Sequence, residues 1–330
     1  MKSRIQKTVK KHYGNHPSLY TMYDWSTDLK NILKRSHKIN HSEHFNPFFI
    51  VGSGRSGNTL FRSMLSQKDE IVIPPESFVL GEAIRKYKMY RYMEWEDLCG
   101  VFCAVFERHH GFPRWGMDIR EFYKEAIKIE RKNRNLEFLI HSFYSFYGRE
   151  NKETFTRWGD KTPINTFSLK LIDKVFPDSQ FIHMIRDARD VVSSYIKAGL
   201  YQDAEGASQR WINSINTAQK FGKKVGSNRY MEVYYEELVR NPEPVLRQVC
   251  EFLGIEFEES MLHHVEGVDQ LKDTRLSHHT NLYKPVNPSS IGKWKKNLSE
   301  EQQQVVEQYC RELMENMGYT WGQSPTALEN

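Results

Sequence analysis

The chain has 330 residues, 39% of them hydrophobic and 13% aromatic, at 39.1 kDa, which excludes a disulfide-stapled peptide and a globally disordered chain. Its net charge of +5 is localised: residues 1–46 carry nine Lys or Arg against three acids, whereas the remainder carries 38 basic residues against 39 acidic ones. A near-neutral body behind a basic first segment argues against a nucleic-acid-binding protein.

No run approaches the ~20 apolar residues of a membrane span, and no apolar stretch follows the first charges, so neither a transmembrane segment nor a secretory signal is expected. Cys99 and Cys103 fall one helical turn apart among Leu98, Val101 and Phe102, while Cys250 and Cys310 stand alone. This pattern fits buried thiols in a reducing cytoplasm rather than a metal site. The histidine pairs at 109/110, 263/264 and 278/279 lack the spacing of a zinc motif, so no metal is expected.

Residues 1–46 read as a basic N-terminal extension with a short helix near 24–36, and 47–330 as one domain. Phe48 to Val51 is a short apolar run of the kind found in a strand buried on both faces. A glycine-rich turn follows, then helical spacing over 58–65, then a second strand over 70–73. Residues 81–158 read as helices rich in aromatics, split by Gly111 to Gly116. A helix is expected after Pro163 to about 176, a strand over 180–185 and a helix over 188–197. A strand over 230–235, a helix over 244–253 closed by Gly254, and a helix over 299–316 capped by Ser299 complete the pattern. Alternation of strands and helices implies an α/β fold, a mostly parallel sheet flanked by helices, with 81–158 inserted.

Gly52 to Thr59 follows a strand and opens a helix. Such a helix N-terminus offers unpaired N–H groups and partial positive charge, which suits an anion. Against the phosphate-binding pattern G-x-x-x-x-G-K-[ST], both glycines and the Thr match, but the lysine is replaced by Asn58 and the cation lies inside the loop as Arg55. A loop without that lysine is poorly suited to triphosphate hydrolysis, yet it can cradle one phosphate with Arg55 forked onto its oxygens.

Arg186-Asp187-Ala188-Arg189-Asp190-Val191-Val192-Ser193-Ser194 also ends a strand and opens a helix. With Gly52 to Thr59, it resembles the paired signature of the sulfotransferases, which use 3′-phosphoadenosine 5′-phosphosulfate (PAPS) as sulfuryl donor and release adenosine 3′,5′-bisphosphate (PAP). Pro74-Pro75-Glu76, Asp160-Lys161-Thr162-Pro163, Val233 to Val239 and the stretch from Lys284 to Trp294 extend the likeness toward the tyrosylprotein sulfotransferase-like branch. The resemblance implies a P-loop-like fold and a donor site at Ser53, Gly54, Arg55, Ser56, Gly57, Asn58 and Thr59. It also implies a 3′-phosphate site at Arg186 and Ser194, helped by Tyr235 and Lys293, and a run from His278 to Asn287 that closes over the nucleotide, with Lys284 and Asn287 binding the donor. Glu76 is the implied base, and Arg55 and Lys161 the cations for the leaving group; Asp160 or Glu76 as a structural partner of Lys161 is the competing reading.

Three departures limit the likeness. His278, with Ser277 beside it, stands where the branch has a serine serving the transition state. Ala198 replaces a basic residue, and Ser77-Phe78-Val79-Leu80 rather than arginines follow Glu76. A glycan or small-metabolite hydroxyl is therefore the expected acceptor, with a peptidyl tyrosine as the alternative and a P-loop kinase or nucleotide-binding protein behind it. The insert is expected on the acceptor side, its aromatics forming either a stacking wall or helix core. A homodimer is kept open.

Overall fold

The computed structural model describes residues 36–43, 45–152, 154–263, 265 and 286–321. Five parallel strands, β1 (Phe48–Gly52), β2 (Ile71–Val72), β3 (Arg157–Lys161), β4 (Gln180–Ile185) and β5 (Tyr230–Tyr234), form one sheet in the order β2-β3-β1-β4-β5. Central β1 sets the register, with Phe48 opposite both Gly159 of β3 and Gln180 of β4. All strands run the same way, so the turns that follow them gather at one edge, where open parallel sheets bind ligands.

Period-2 alternation divides β1 between two cores. Phe49 and Val51 face the aromatic insert, and Phe48 and Ile50 face the opposite layer. The insert consists of α2 (Leu80–Tyr90), α3 (Trp95–Glu107), α4 (Ile119–Ala126) and α5 (Leu136–Asn151), following α1 (Asn58–Leu65) and β2 in the chain. Its aromatics interlock as a core: Phe143 packs against Phe106 at 4.4 Å, Phe122 at 5.1 Å and Trp115 at 5.1 Å between ring centroids. All four are buried, so they build no open wall.

Beyond β3 the chain forms a 3-10 turn, Pro163–Ser168, before the expected helix, which is short: α6, Leu169–Val175. Next come α7 (Ala188–Lys197), α8 (Ala204–Val225), α9 (Tyr235–Arg240) and α10 (Pro242–Leu253), and finally α11 (Trp294–Asn297) and α12 (Glu300–Asn316). Gly254 closes α10 in the left-handed conformation, and Ser299 opens α12 with a capping box to Gln302.

Among the elements that escape the sequence pattern, besides the short helices α9 and α11, two are deeply buried. The stretch Arg157-Trp158-Gly159-Asp160-Lys161 carries three charges and a glycine, yet all five residues are buried as β3. Each charge is met: the Arg157 guanidinium donates to the Asn46 and Leu253 carbonyls and to Gln180 Oε1. Gly159 is required because a Cβ there would stand 2.4 Å from the Phe48 ring. The second element is the 22-residue α8, capped by Asp203 and buried along Trp211, Ile215, Ala218 and Phe221.

The last part of the expected extension lies on the body. Asn40 Nδ2 donates to the carbonyls of Lys174 and Val175. The buried Glu137 carboxylate accepts from His41 N at 2.8 Å and Phe45 N at 3.0 Å. The helix expected over 24–36 falls almost wholly outside the described residues, as do His278, Ser277 and Lys284. Loss of a buried acceptor strands its donors, so Glu137→Ala should destabilise the protein by about 2–4 kcal/mol in urea unfolding. An unchanged midpoint would show that this strap does not contribute to the fold.

Candidate active site

Loop residues Gly52 to Gly57 take three left-handed backbone angles, at Gly52 (φ 132°), Arg55 (φ 67°) and Gly57 (φ 86°). Gly57 opens α1 without a side-chain cap, leaving the first-turn N–H groups without helical partners. A Cβ on Gly57 would stand 2.3 Å from the Tyr235 ring, so only glycine allows that approach. Around the loop, Gly52 N donates to Thr166 Oγ1, whose hydroxyl donates back to Gly52 O. Ser53 Oγ bonds the Tyr195 hydroxyl at 3.0 Å, and Gly54 lies against the same tyrosine. Asn58 Nδ2 turns inward to Ser53 O. Ser56 Oγ, Asn58 Oδ1 and Arg186 Nε are buried with no hydrogen-bond partner among the described residues.

A second cationic point joins this loop. Arg186, at the end of β4, donates from Nη1 to Arg55 O at 3.1 Å and from Nη2 to Ser290 O at 2.7 Å. Its guanidinium lies 4.3 Å from the centroid of the Tyr235 ring. Arg55 reaches across to Ser194, donating from Nε to Oγ at 2.9 Å. Burial first, and then the charge of Arg186, lowers the Arg55 pKa below its usual value. An anion placed between the two guanidinium groups would relieve that repulsion.

The third part is an ion pair. Lys161 Nζ contacts Glu76 Oε1 at 2.6 Å and donates to Thr59 Oγ1 at 3.3 Å. The lysine side chain keeps 2% of its surface exposed and the glutamate 22%. Alternation along β3 excludes Asp160 as the partner of Lys161, because Asp160 points to the other face and accepts from the Tyr144 hydroxyl at 2.6 Å, whereas the pairing with Glu76 is present. Phe78, two residues after Glu76, is left-handed (φ 51°) and stacks on His109 with centroids 4.9 Å apart.

Two of the expected residues, Asn287 and Lys293, lie on the 286–294 segment. Asn287 Oδ1 accepts from Ser289 N and so caps a 3-10 turn, and exposed Lys293 reaches Ser290 Oγ at 3.4 Å. Asp190 anchors the segment by accepting from Gly292 N at 2.7 Å and Trp294 N at 3.0 Å. Asp190, Tyr195 and Thr166 were not among the residues singled out from sequence. Only the position of Asp190 on the first turn of the Arg186 helix could have marked it.

A family model described as "Sulfotransferase family" matches residues 47–259. The chain belongs to the sulfotransferase family. Among family relatives it is 25% identical over 256 residues to the protein-tyrosine sulfotransferase of Drosophila melanogaster, covering 74% of this chain and 46% of that protein. It is 27% identical over 316 residues to the omega-hydroxy-beta-dihydromenaquinone-9 sulfotransferase Stf3 of Mycobacterium bovis, covering 83% and 75% respectively. The match thus spans about half the length of the fly protein. The sulfotransferase domain of the Synechococcus PCC 7002 olefin synthase shares the fold at a TM-score of 0.61 and 23% identity, covering 87% of this chain and 100% of that domain.

Behind the sulfotransferase loops lies a buried acid. Glu236 accepts from Asp187 N at 3.0 Å and from the Tyr319 hydroxyl at 2.9 Å. Burial, then the charge of Asp187, pushes its pKa up to about 7. An unfolded glutamate titrates near ~4.3, so between that value and about 7 the folded state holds the extra proton. This group therefore favours folding at low pH and loses that contribution as pH rises through its folded pKa. Glu236→Gln should reduce the fall in Tm between about pH 4.5 and pH 7 relative to the unsubstituted protein. Identical pH profiles would refute the buried-acid assignment.

Proposed function

We propose that this chain transfers a sulfuryl group from PAPS to an acceptor hydroxyl. The contact that carries this reading is the Lys161 ammonium held between Glu76 and Thr59 at the mouth of the glycine-rich loop. The loop N–H groups and the unpartnered Ser56 hydroxyl suit the 5′-phosphosulfate. Arg186 and Ser194, with the Tyr235 ring beneath the guanidinium, suit the 3′-phosphate, and Lys293 lies on the segment anchored beside them. The inward-turned Asn58 amide supplies no cation, which disfavours a kinase.

Transfer then follows from charge placement. The acceptor O–H gives its proton to Glu76, and its oxygen forms the new O–S bond. The bond from sulfur to the 5′-phosphate oxygen breaks in line, and PAP leaves with that electron pair. Lys161 and Arg55 meet the charge on the leaving phosphate, so fixed cations fill the role that a metal would otherwise take. The acceptor class we favour is a glycan or small-metabolite hydroxyl, since Ser77 to Leu80 carry no charge for an acidic peptide. The likeness to protein-tyrosine sulfotransferases supports a peptidyl tyrosine as the second reading.

PAP at about 100 times its Kd should raise Tm by several degrees, because ligand binding at that excess is worth about 2.7 kcal/mol. ATP with magnesium should give little shift, and the opposite ranking would overturn the donor assignment. Glu76→Gln should keep the PAP shift while kcat for PAP release falls about 10²–10⁴-fold; full turnover in this variant would exclude a base role. In Arg186→Ala the PAP shift should fall to that of adenosine 5′-monophosphate. Retained discrimination would place the 3′-phosphate elsewhere.

A further inference from the structure

Glu76 stands on an irregular segment after β2, where no ladder of backbone hydrogen bonds fixes its direction. Its position is set instead from Thr162, the residue that follows β3. Ser77 N donates to Thr162 Oγ1 at 2.9 Å, and the two hydroxyls are 3.2 Å apart. Both side chains are buried, Thr162 completely. Behind Thr162, the Asp160 carboxylate accepts from the Tyr144 hydroxyl at 2.6 Å and from Asn165 Nδ2 at 2.8 Å. Burial raises the Asp160 pKa, while hydrogen bonds from Tyr144, Ser77, Thr162 and Asn165 oppose that shift. Tyr144 is clamped by its ring stack on Trp158 at 4.1 Å and its edge contact with Trp115 at 5.6 Å. Trp115 Nε1 in turn reaches Glu76 O at 3.4 Å.

These contacts enclose the Glu76 backbone from both sides, and each traces back to β3 or to the aromatic insert. We propose that Thr162 is a positioning residue for Glu76, held in place by the Tyr144–Asp160–Asn165 network. The proposal rests on the sulfuryl-transfer reading and assigns the aromatic insert a part in aligning the base. Lys161 occupies one carboxylate oxygen, so the remaining oxygen must point correctly to take the acceptor proton. Misalignment of about 1 Å can cost a hundredfold in rate without affecting ground-state binding.

The test measures PAP formed from radiolabelled PAPS, in water alone and with p-nitrophenol as acceptor, beside PAP-induced thermal stabilisation. Thr162→Val preserves shape and removes the hydroxyl, whereas Thr162→Ser retains it. The Val variant should lose about tenfold or more in kcat with the PAP shift unchanged, and the Ser variant should recover most of the rate. Tyr144→Phe, which keeps both ring contacts, should lower kcat in the same sense, and this second variant serves if Thr162→Val does not fold. Unchanged kcat in the folded Val and Phe variants would overturn the proposal, as would parallel losses of PAP affinity and rate. Absence of both PAP binding and turnover in the unsubstituted protein would instead overturn the sulfuryl-transfer reading, and the positioning role with it.

Discussion

A lysine ammonium that keeps 2% of its side-chain surface in water must be met by an opposite charge, because desolvating an unpaired cation costs several kcal/mol. Lys161 lies at the last position of β3, and the carboxylate that meets it comes from Glu76, beyond β2. That pairing binds the edge strand's exit to the neighbouring strand's end and brings both charges beside Thr59, on the first turn of α1. The pair, buried on the lysine side and half-buried at Glu76, contributes little net stability, since attraction largely offsets desolvation. Its value is positional: a carboxylate and an ammonium group share one point at the loop's mouth.

The second constraint is steric. Tyr235, at the start of α9, presses its ring against Gly57 and carries Arg186 over its face. One aromatic ring thereby fixes the distance between the glycine-rich loop and the end of β4. Arg55 adds a second tie, with its carbonyl accepting from Arg186 and its Nε donating to Ser194. The left-handed angle at Arg55 is an unfavourable conformation for a residue with a Cβ, and these two contacts hold it there. The glycine-rich loop and the end of β4 therefore form one mechanically connected unit.

Much of this unit was legible in the sequence because it depends on local chemistry. Strand, glycine turn and helix at 48–65 follow from apolar runs and glycine spacing, as do the strand that ends before Arg186 and the helix behind it; the roles of Arg186 and Ser194 are implied by the family resemblance alone, and in the structure Ser194 accepts from Arg55. β3 was hidden because its burial depends on partners far away in the chain: Arg157 needs Asn46 and Leu253, and Gly159 needs Phe48. No local pattern announces such a strand. The Thr162-Pro163 step did carry a usable signal, since the residue before proline favours extended backbone, and Thr162 ends just beyond β3. The aromatics of 81–158 are ambiguous by periodicity alone; only the packing of Phe106, Trp115 and Phe143 shows that they form core.

The net charge of +5 has little bearing on how this site handles an anion. Lys161 is neutralised by Glu76, and Arg186 has Asp190 at 4.0 Å, so these two and Arg55 together present a smaller effective charge than their count suggests. A donor with about four negative charges would have to be held largely by loop N–H groups, by the buried Ser56 hydroxyl and by guanidinium hydrogen bonds of fixed geometry. Such contacts act at hydrogen-bond range, well inside the ~8 Å Debye length of physiological salt. Donor binding should then depend on loop shape more than on ionic strength. Through that shape, the Gly57–Tyr235 contact governs the site as firmly as either arginine.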